Sequence, residues 1–134
     1  MHRHLLCILV AVLSLMACAG IAQRSKLDKF EEMDRTYKQA LLASDFAGAA
    51  RLIDPTANPK PFDPAKARLL KIVDYKPTHV DVSEDLLTIK QQVSLKYFML
   101  NTNLLRTMDY QQTWKYKEDH KVWLLQTELP DLIP

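Results

Sequence analysis

Few side chains in this chain are suited to proton transfer, nucleophilic attack or metal binding. Of its four histidines, His2 and His4 stand at the N-terminal tip, His79 lies just past Pro77, and His120 sits in a polar run. A general base must come within hydrogen-bond reach of its proton, normally in a protected site. His120 reads as solvated and His79 as an edge position. Asp109 is the best acid/base candidate, because aspartate is disfavoured in mid-strand. Alternation nevertheless puts it on the face opposite Tyr110 and Trp114, toward solvent. Two histidines 41 residues apart make no metal site by themselves. There is no Ser-His-Asp arrangement, glycine-rich phosphate loop or nucleotide motif. No catalytic set, metal or cofactor is therefore expected. Gln91 and Gln112 are more informative, since each interrupts an otherwise apolar strand face. A buried amide left without partners costs about 1–3 kcal/mol. The two glutamines either pair inside a core or point into a wet cavity. With Tyr97, Tyr110 and Trp114 they form the candidate lining of a pocket.

Of the two cysteines, Cys7 lies inside an apolar run and Cys18 just after it. Arg3 precedes it, and Leu5 to Met16 carries no charge. Those twelve residues fall short of the roughly 20 that a helical span needs, and they match the apolar region of a signal peptide. The run ends in Leu15-Met16-Ala17-Cys18. This tetrapeptide resembles the bacterial lipobox, with Met16 where Ala, Ser or Thr is commoner. The resemblance implies a diacylglycerol thioether on Cys18 and cleavage before it; the competing expectation is ordinary secretory cleavage near Ala17, Ala19 or Ala22. After cleavage before Cys18 no free thiol and no disulfide would remain, which suits an oxidising envelope compartment. Ala19 stands where many Gram-negative lipoproteins carry an inner-membrane retention Asp. The resemblance thus implies the periplasmic face of the outer membrane. The expected division is a leader over 1–17, a lipidated tether over 18–25 and one domain over 26–134. Fully extended, the seven residues from Ala19 to Ser25 reach about 25 Å.

Removing residues 1–17 takes away Arg3 alone among the charges, leaving 17 basic against 16 acidic residues. A net charge near +1 offers no electrostatic footprint for nucleic acid. The 117 remaining residues make one domain.

Periodicity sets the elements. Leu27, Phe30, Tyr37 and Leu41 recur at helical intervals from Ser25 to Ala43, and Ser25 with Asp28 reads as a capping signal. A shorter helix starts at Ser44 or Asp45, with Phe46, Ala49, Ala50, Leu52 and Ile53 as its apolar positions. Asp54-Pro55 ends it. Thr56 to Asp63 is a loop, and Asp63-Pro64 opens a third helix to about Leu70. From Lys71 the period falls to 2. Strands are expected over Ile72–Val82, disturbed at Pro77 on an edge or bulge; over Leu87–Met99; through Met108–Tyr116; and over Val122–Thr127. The predicted class is α+β, with N-terminal helices packed on a curved four-stranded antiparallel sheet.

Two runs carry a further resemblance. Ala40-Leu41-Leu42-Ala43-Ser44-Asp45-Phe46 with Ala49-Ala50-Arg51-Leu52 looks like the helical opening of nuclear-transport-factor-2-like domains. Gln112-Thr113-Trp114-Lys115-Tyr116 with Val122-Trp123-Leu124-Leu125 looks like their last hairpin. The similarity spans most of residues 26–129. It implies a cone that commonly encloses a pocket, catalytic in some members through an Asp or His base and non-catalytic in many others. The leading expectation is a non-catalytic envelope lipoprotein, held at the membrane through Cys18, that binds a partner protein or a small apolar ligand. The alternatives are an isomerase or dehydratase using Asp109 or His79, and a structural part of an envelope assembly. Intact-mass analysis of the membrane-extracted protein is expected to find a chain beginning at Cys18 with acyl mass, and Cys18→Ser is expected to release the protein from membranes.

Overall fold

The computed structural model describes the backbone of residues 2–132 and the side chains of residues 20–132. The side chain of Cys18 lies outside the described residues. Three helices, α1 (His2–Leu42), α2 (Phe46–Ala50) and α3 (Pro64–Ala67), precede four strands: β1 (Leu70–Val82), β2 (Thr88–Met99), β3 (Leu104–Lys117) and β4 (Val122–Leu125). The strands form one antiparallel meander in the order β1-β2-β3-β4. The fold is α+β, with helices on one face of a four-stranded sheet. Among the described residues no helix is long and apolar enough to cross a membrane.

Helix α1 does not start at Ser25; it runs on from His2 through residues 18–25. The intervening Ala, Gln and Arg are strong helix formers, no proline interrupts them, and Gly20 costs only about 1 kcal/mol relative to Ala. A capping residue marks an end only where the chain turns away. The seven residues from Ala19 to Ser25 therefore rise about 10 Å as helix, within the maximum reach of about 25 Å.

The α1 stripe of Phe30, Tyr37 and Leu41 is buried against the sheet. Phe30 meets Trp114 and Trp123 edge-on at 5.9 and 5.7 Å, and Tyr37 meets Trp114 at 5.8 Å. Such edge-to-face pairs add to the area they bury. The helix ends where Ser44 takes a positive φ of 60° and the Asp45 amide turns back to the Ala40 carbonyl. Asp45 then caps α2 through the Gly48 amide at 2.8 Å. Asp63 caps α3 in the same way, ahead of Pro64.

Helix α2 stops at Ala50, before Leu52 and Ile53. Those residues serve the sheet instead. Ile53 bridges Leu125 in parallel, with Leu125 N–H donating to Leu52 O at 2.9 Å and Asp54 N–H donating to Leu125 O at 2.8 Å. This short segment covers the free edge of β4, which would otherwise present unpaired backbone groups. Thr56 and Ala57, expected as loop, belong to a single 3₁₀ turn, Pro55–Ala57, capped by Asp54. Asp54 is buried. Its carboxylate accepts from Thr56 Oγ1 at 2.7 Å and Gln126 Nε2 at 3.1 Å, and pairs with Lys117 at 2.7 Å. Lys117 ahead of the Thr56 hydrogen bond holds the Asp54 carboxyl far below the usual carboxylate range.

At the other edge, β1 carries register shifts at Ile72/Asp74 and at Pro77/His79. Proline has no N–H for the ladder, so it belongs on an edge or at a bulge, and here it has both. Strand β4 ends at Leu125, two residues short of the expected Thr127.

Because the folded-state pKa of Asp54 is depressed, its stabilisation is fully present above the unfolded carboxylate value of about 3.9 and is lost as pH falls through the folded value. Asp54→Asn is expected to cost about 1–3 kcal/mol at pH 7. Urea unfolding at pH 7 and pH 3 should show the gap from the unmodified chain narrowing in acid.

Candidate functional site

Along the inner sheet face, Tyr75, Pro77, Val80 and Val82 of β1 stand opposite Leu95, Val93, Gln91 and Ile89 of β2. The β2 residues are buried, yet Val80 and Val82 remain 46% and 38% exposed. The helical layer leaves this end of β1 uncovered. The result is an open groove of about 540 Å³ between α1 and the sheet edge. Leu27 and Phe30 form its helical wall, Val80, Val82 and Ile89 its strand wall, and Asp34 and Gln91 its polar floor. Glu31, Arg35 and Lys38 stand on the α1 rim.

The floor belongs to a continuous hydrogen-bond network. Tyr75 OH donates to Asp34 Oδ1 at 2.7 Å, and Gln91 Nε2 donates to the same oxygen at 2.9 Å. Gln112 Nε2 donates back to the Tyr75 oxygen at 2.9 Å. Gln112 Oε1 accepts from Gln91 Nε2 at 3.1 Å and from Trp114 Nε1 at 3.0 Å. With its one proton spent on the carboxylate, the Tyr75 oxygen is the acceptor that Gln112 needs, so each amide orientation follows from its neighbour. Burial first, then the negative charge of Asp34, pushes the Tyr75 hydroxyl far above the ordinary tyrosine range. It stays a neutral phenol and a donor.

A second chain of hydroxyls runs deeper. Tyr110 OH donates to the Glu128 carbonyl at 2.5 Å, and Tyr37 OH lies 3.1 Å from Tyr110 OH. Burial raises both phenols. This chain joins α1 to β3 and to the C-terminal segment.

Of the five expected pocket residues, Gln91 reaches the groove. Gln112 lies behind it in the network, and Trp114 supports Gln112 through its indole N–H. Tyr110 is buried in the hydroxyl chain, and Tyr97 is buried in the core toward Met99. The two glutamines thus pair inside the core, and one of them also meets the groove. Asp109 and His79 both face solvent, as does His120. An enzyme built on Asp109 or His79 is therefore corrected by the geometry: alternation turns Asp109 outward, and the Pro77/His79 shift leaves the imidazole on the exposed edge.

Asp34 and Tyr75 carry the site and were missed. The signal for Asp34 was present. It lies four residues after Phe30 and three before Tyr37, a lone carboxylate on the apolar helix face. Two further depressions of about 380 Å³ each flank Phe62, sharing Phe46, Ala67 and Leu70, and neither contains Asp34 or a buried glutamine.

No protein-family model matches the sequence, and no curated protein matches it. The chain is similar to a crystal structure of an NTF2-like family protein from Streptomyces avermitilis, described as a candidate dehydratase. Identity is 13%, the match covers 82% of this chain and 99% of that one, and the TM-score is 0.48.

Tyr75→Phe takes one donor from Asp34 and the acceptor from Gln112. It is expected to cost about 1–3 kcal/mol in urea unfolding. Combined with Gln112→Leu, the loss should fall short of the sum of the single losses, as it does for residues in one network.

Proposed function

We propose that the chain is a non-catalytic envelope lipoprotein, anchored through Cys18, whose α1/β1 groove binds a small ligand with an apolar body. One observation carries the binding part: β1 continues its inner apolar face through Val80 and Val82 beyond the cover of α1, above a polar floor that is already built. Isolated apolar side chains on a surface are ordinary, but apolar walls converging on a few fixed polar groups are what a ligand site uses.

Two features favour binding over turnover. The donors beside Asp34 are a phenol held neutral and one amide, neither of which exchanges protons near neutral pH. Both imidazoles of residues 20–132 lie outside the groove.

An anchor at Cys18 is compatible with a groove near the N-terminal end of the domain. The Lys26 carbonyl accepts from Trp123 Nε1 at 2.8 Å, and Lys26 pairs with Glu118 of the β3–β4 turn at 3.6 Å. Leu27 shares the groove with Val82, at the end of β1. With Cys18 about two helical turns upstream, the groove would sit at the membrane-facing end of the domain.

A second reading rests on the Asp34 carboxylate itself, which could serve a pocket isomerase or dehydratase as general base. It requires turnover that disappears in Asp34→Asn, whereas binding alone requires none.

Native mass spectrometry of the membrane-extracted protein is expected to show a retained small ligand. Val80→Trp fills the groove with a strand-compatible side chain and is expected to remove that mass. A ligand load unchanged by Val80→Trp would exclude the groove as its site.

A further inference from the structure

We infer that the groove selects its ligand by head group, taking a primary amine at Asp34 with a short alkyl body against Val80, Val82 and Leu27. This rests on the groove-binding function proposed above and adds the class of ligand. Asp34 Oδ1 receives both available donors, Tyr75 at 2.7 Å and Gln91 at 2.9 Å. Both donors are neutral, so neither brings a positive charge to this half-buried carboxyl group. Among the described residues no lysine, arginine or histidine lies within ion-pair distance of it. Lys38, one helical turn on, sits 6.0 Å over the Tyr75 ring. Glu31 adds negative charge to the same wall, and Arg35 and Lys38 are the rim cations. The strand wall contributes no charge at all.

A carboxylate offers about four lone-pair sites, and Asp34 has spent two of them on one oxygen. The group that completes it best is a cationic donor, whose hydrogen bonds are charge-assisted. An alkyl carboxylate would instead bring like charge to the floor. From Asp34 to Leu27 is two helical turns, about 10 Å, so a short alkyl chain starting at the carboxylate lies along the apolar walls. The same spacing puts the apolar end of the ligand toward the α1 N-terminal side.

The test is calorimetric titration of the full chain with hexylamine, hexanol and hexanoate, repeated on Asp34→Asn and Val80→Trp. Asparagine keeps the acceptor for Tyr75 and Gln91, so the fold is retained. Hexylamine is expected to bind tightest and hexanoate weakest. Asp34→Asn should weaken hexylamine about tenfold while leaving hexanol nearly unchanged, and Val80→Trp should abolish all three. Hexanoate binding as tightly as hexylamine, or a preference for the amine that survives Asp34→Asn, overturns the head-group assignment. If the three probes bind alike and are lost together in Val80→Trp, the groove stands and only the amine class fails. If none binds, or Val80→Trp changes nothing, the groove function itself falls with it.

Discussion

A carboxylate on the apolar stripe of a helix can be packed against a sheet only where the sheet offers donors, and Asp34 meets Tyr75 and Gln91. That contact constrains far more than one residue. Stripping a carboxylate of water without compensation costs several kcal/mol, so α1 cannot slide or roll without losing both donors at once. The apolar contacts around it, Phe30 and Tyr37 against the tryptophans, are larger in area but tolerant of small displacements. The hydrogen bonds are not. Asp34 therefore sets the register of the helix on the sheet, and Gln112 and Trp114 fix the donors in turn by leaving the amides a single consistent orientation.

The remainder of the domain is tied to this frame at its margins. One sheet edge is closed by Leu52–Asp54 on β4, locked by the Asp54–Lys117 pair. The C-terminal segment is held through the Glu128 carbonyl by Tyr110, which also contacts Tyr37 of α1. The opposite edge, β1, is left open. It is blunted by a proline and by two register shifts rather than by a covering segment, and both devices discourage edge-to-edge pairing.

The groove arises from the mismatch between these two treatments. On the β4 side the helical layer and its loop reach over the sheet edge. On the β1 side the strand outruns its cover, so Val80 and Val82 keep an inner-face orientation without an inner-face partner. Structural network and groove share Asp34 and Gln91, and the floor of the groove is consequently rigid. A preorganised floor reduces the ordering cost of binding.

Much of the architecture was legible residue by residue. The shift from a 3.6 to a 2.0 period at Lys71 separated helices from strands, Ser44 or Asp45 and then Asp63 announced the helices that follow them, and Pro77 announced an edge or a bulge. Those signals are local, because each depends on the dihedral preferences of one residue or on alternation along one strand. Gln91 and Gln112 were legible as a problem, polar groups on a dry face, but not as a pair, since their meeting depends on the register Gln91↔Gln112 between two strands. Asp34 was present in the pattern as an intruder on the Phe30–Tyr37 face, and its meaning waited on Tyr75, 41 residues away. The sequence by itself determined the kinds of element and the faces they bury. Only the tertiary structure decided which polar groups would be brought together and which apolar strand would be left uncovered, because both depend on how far one element extends past another.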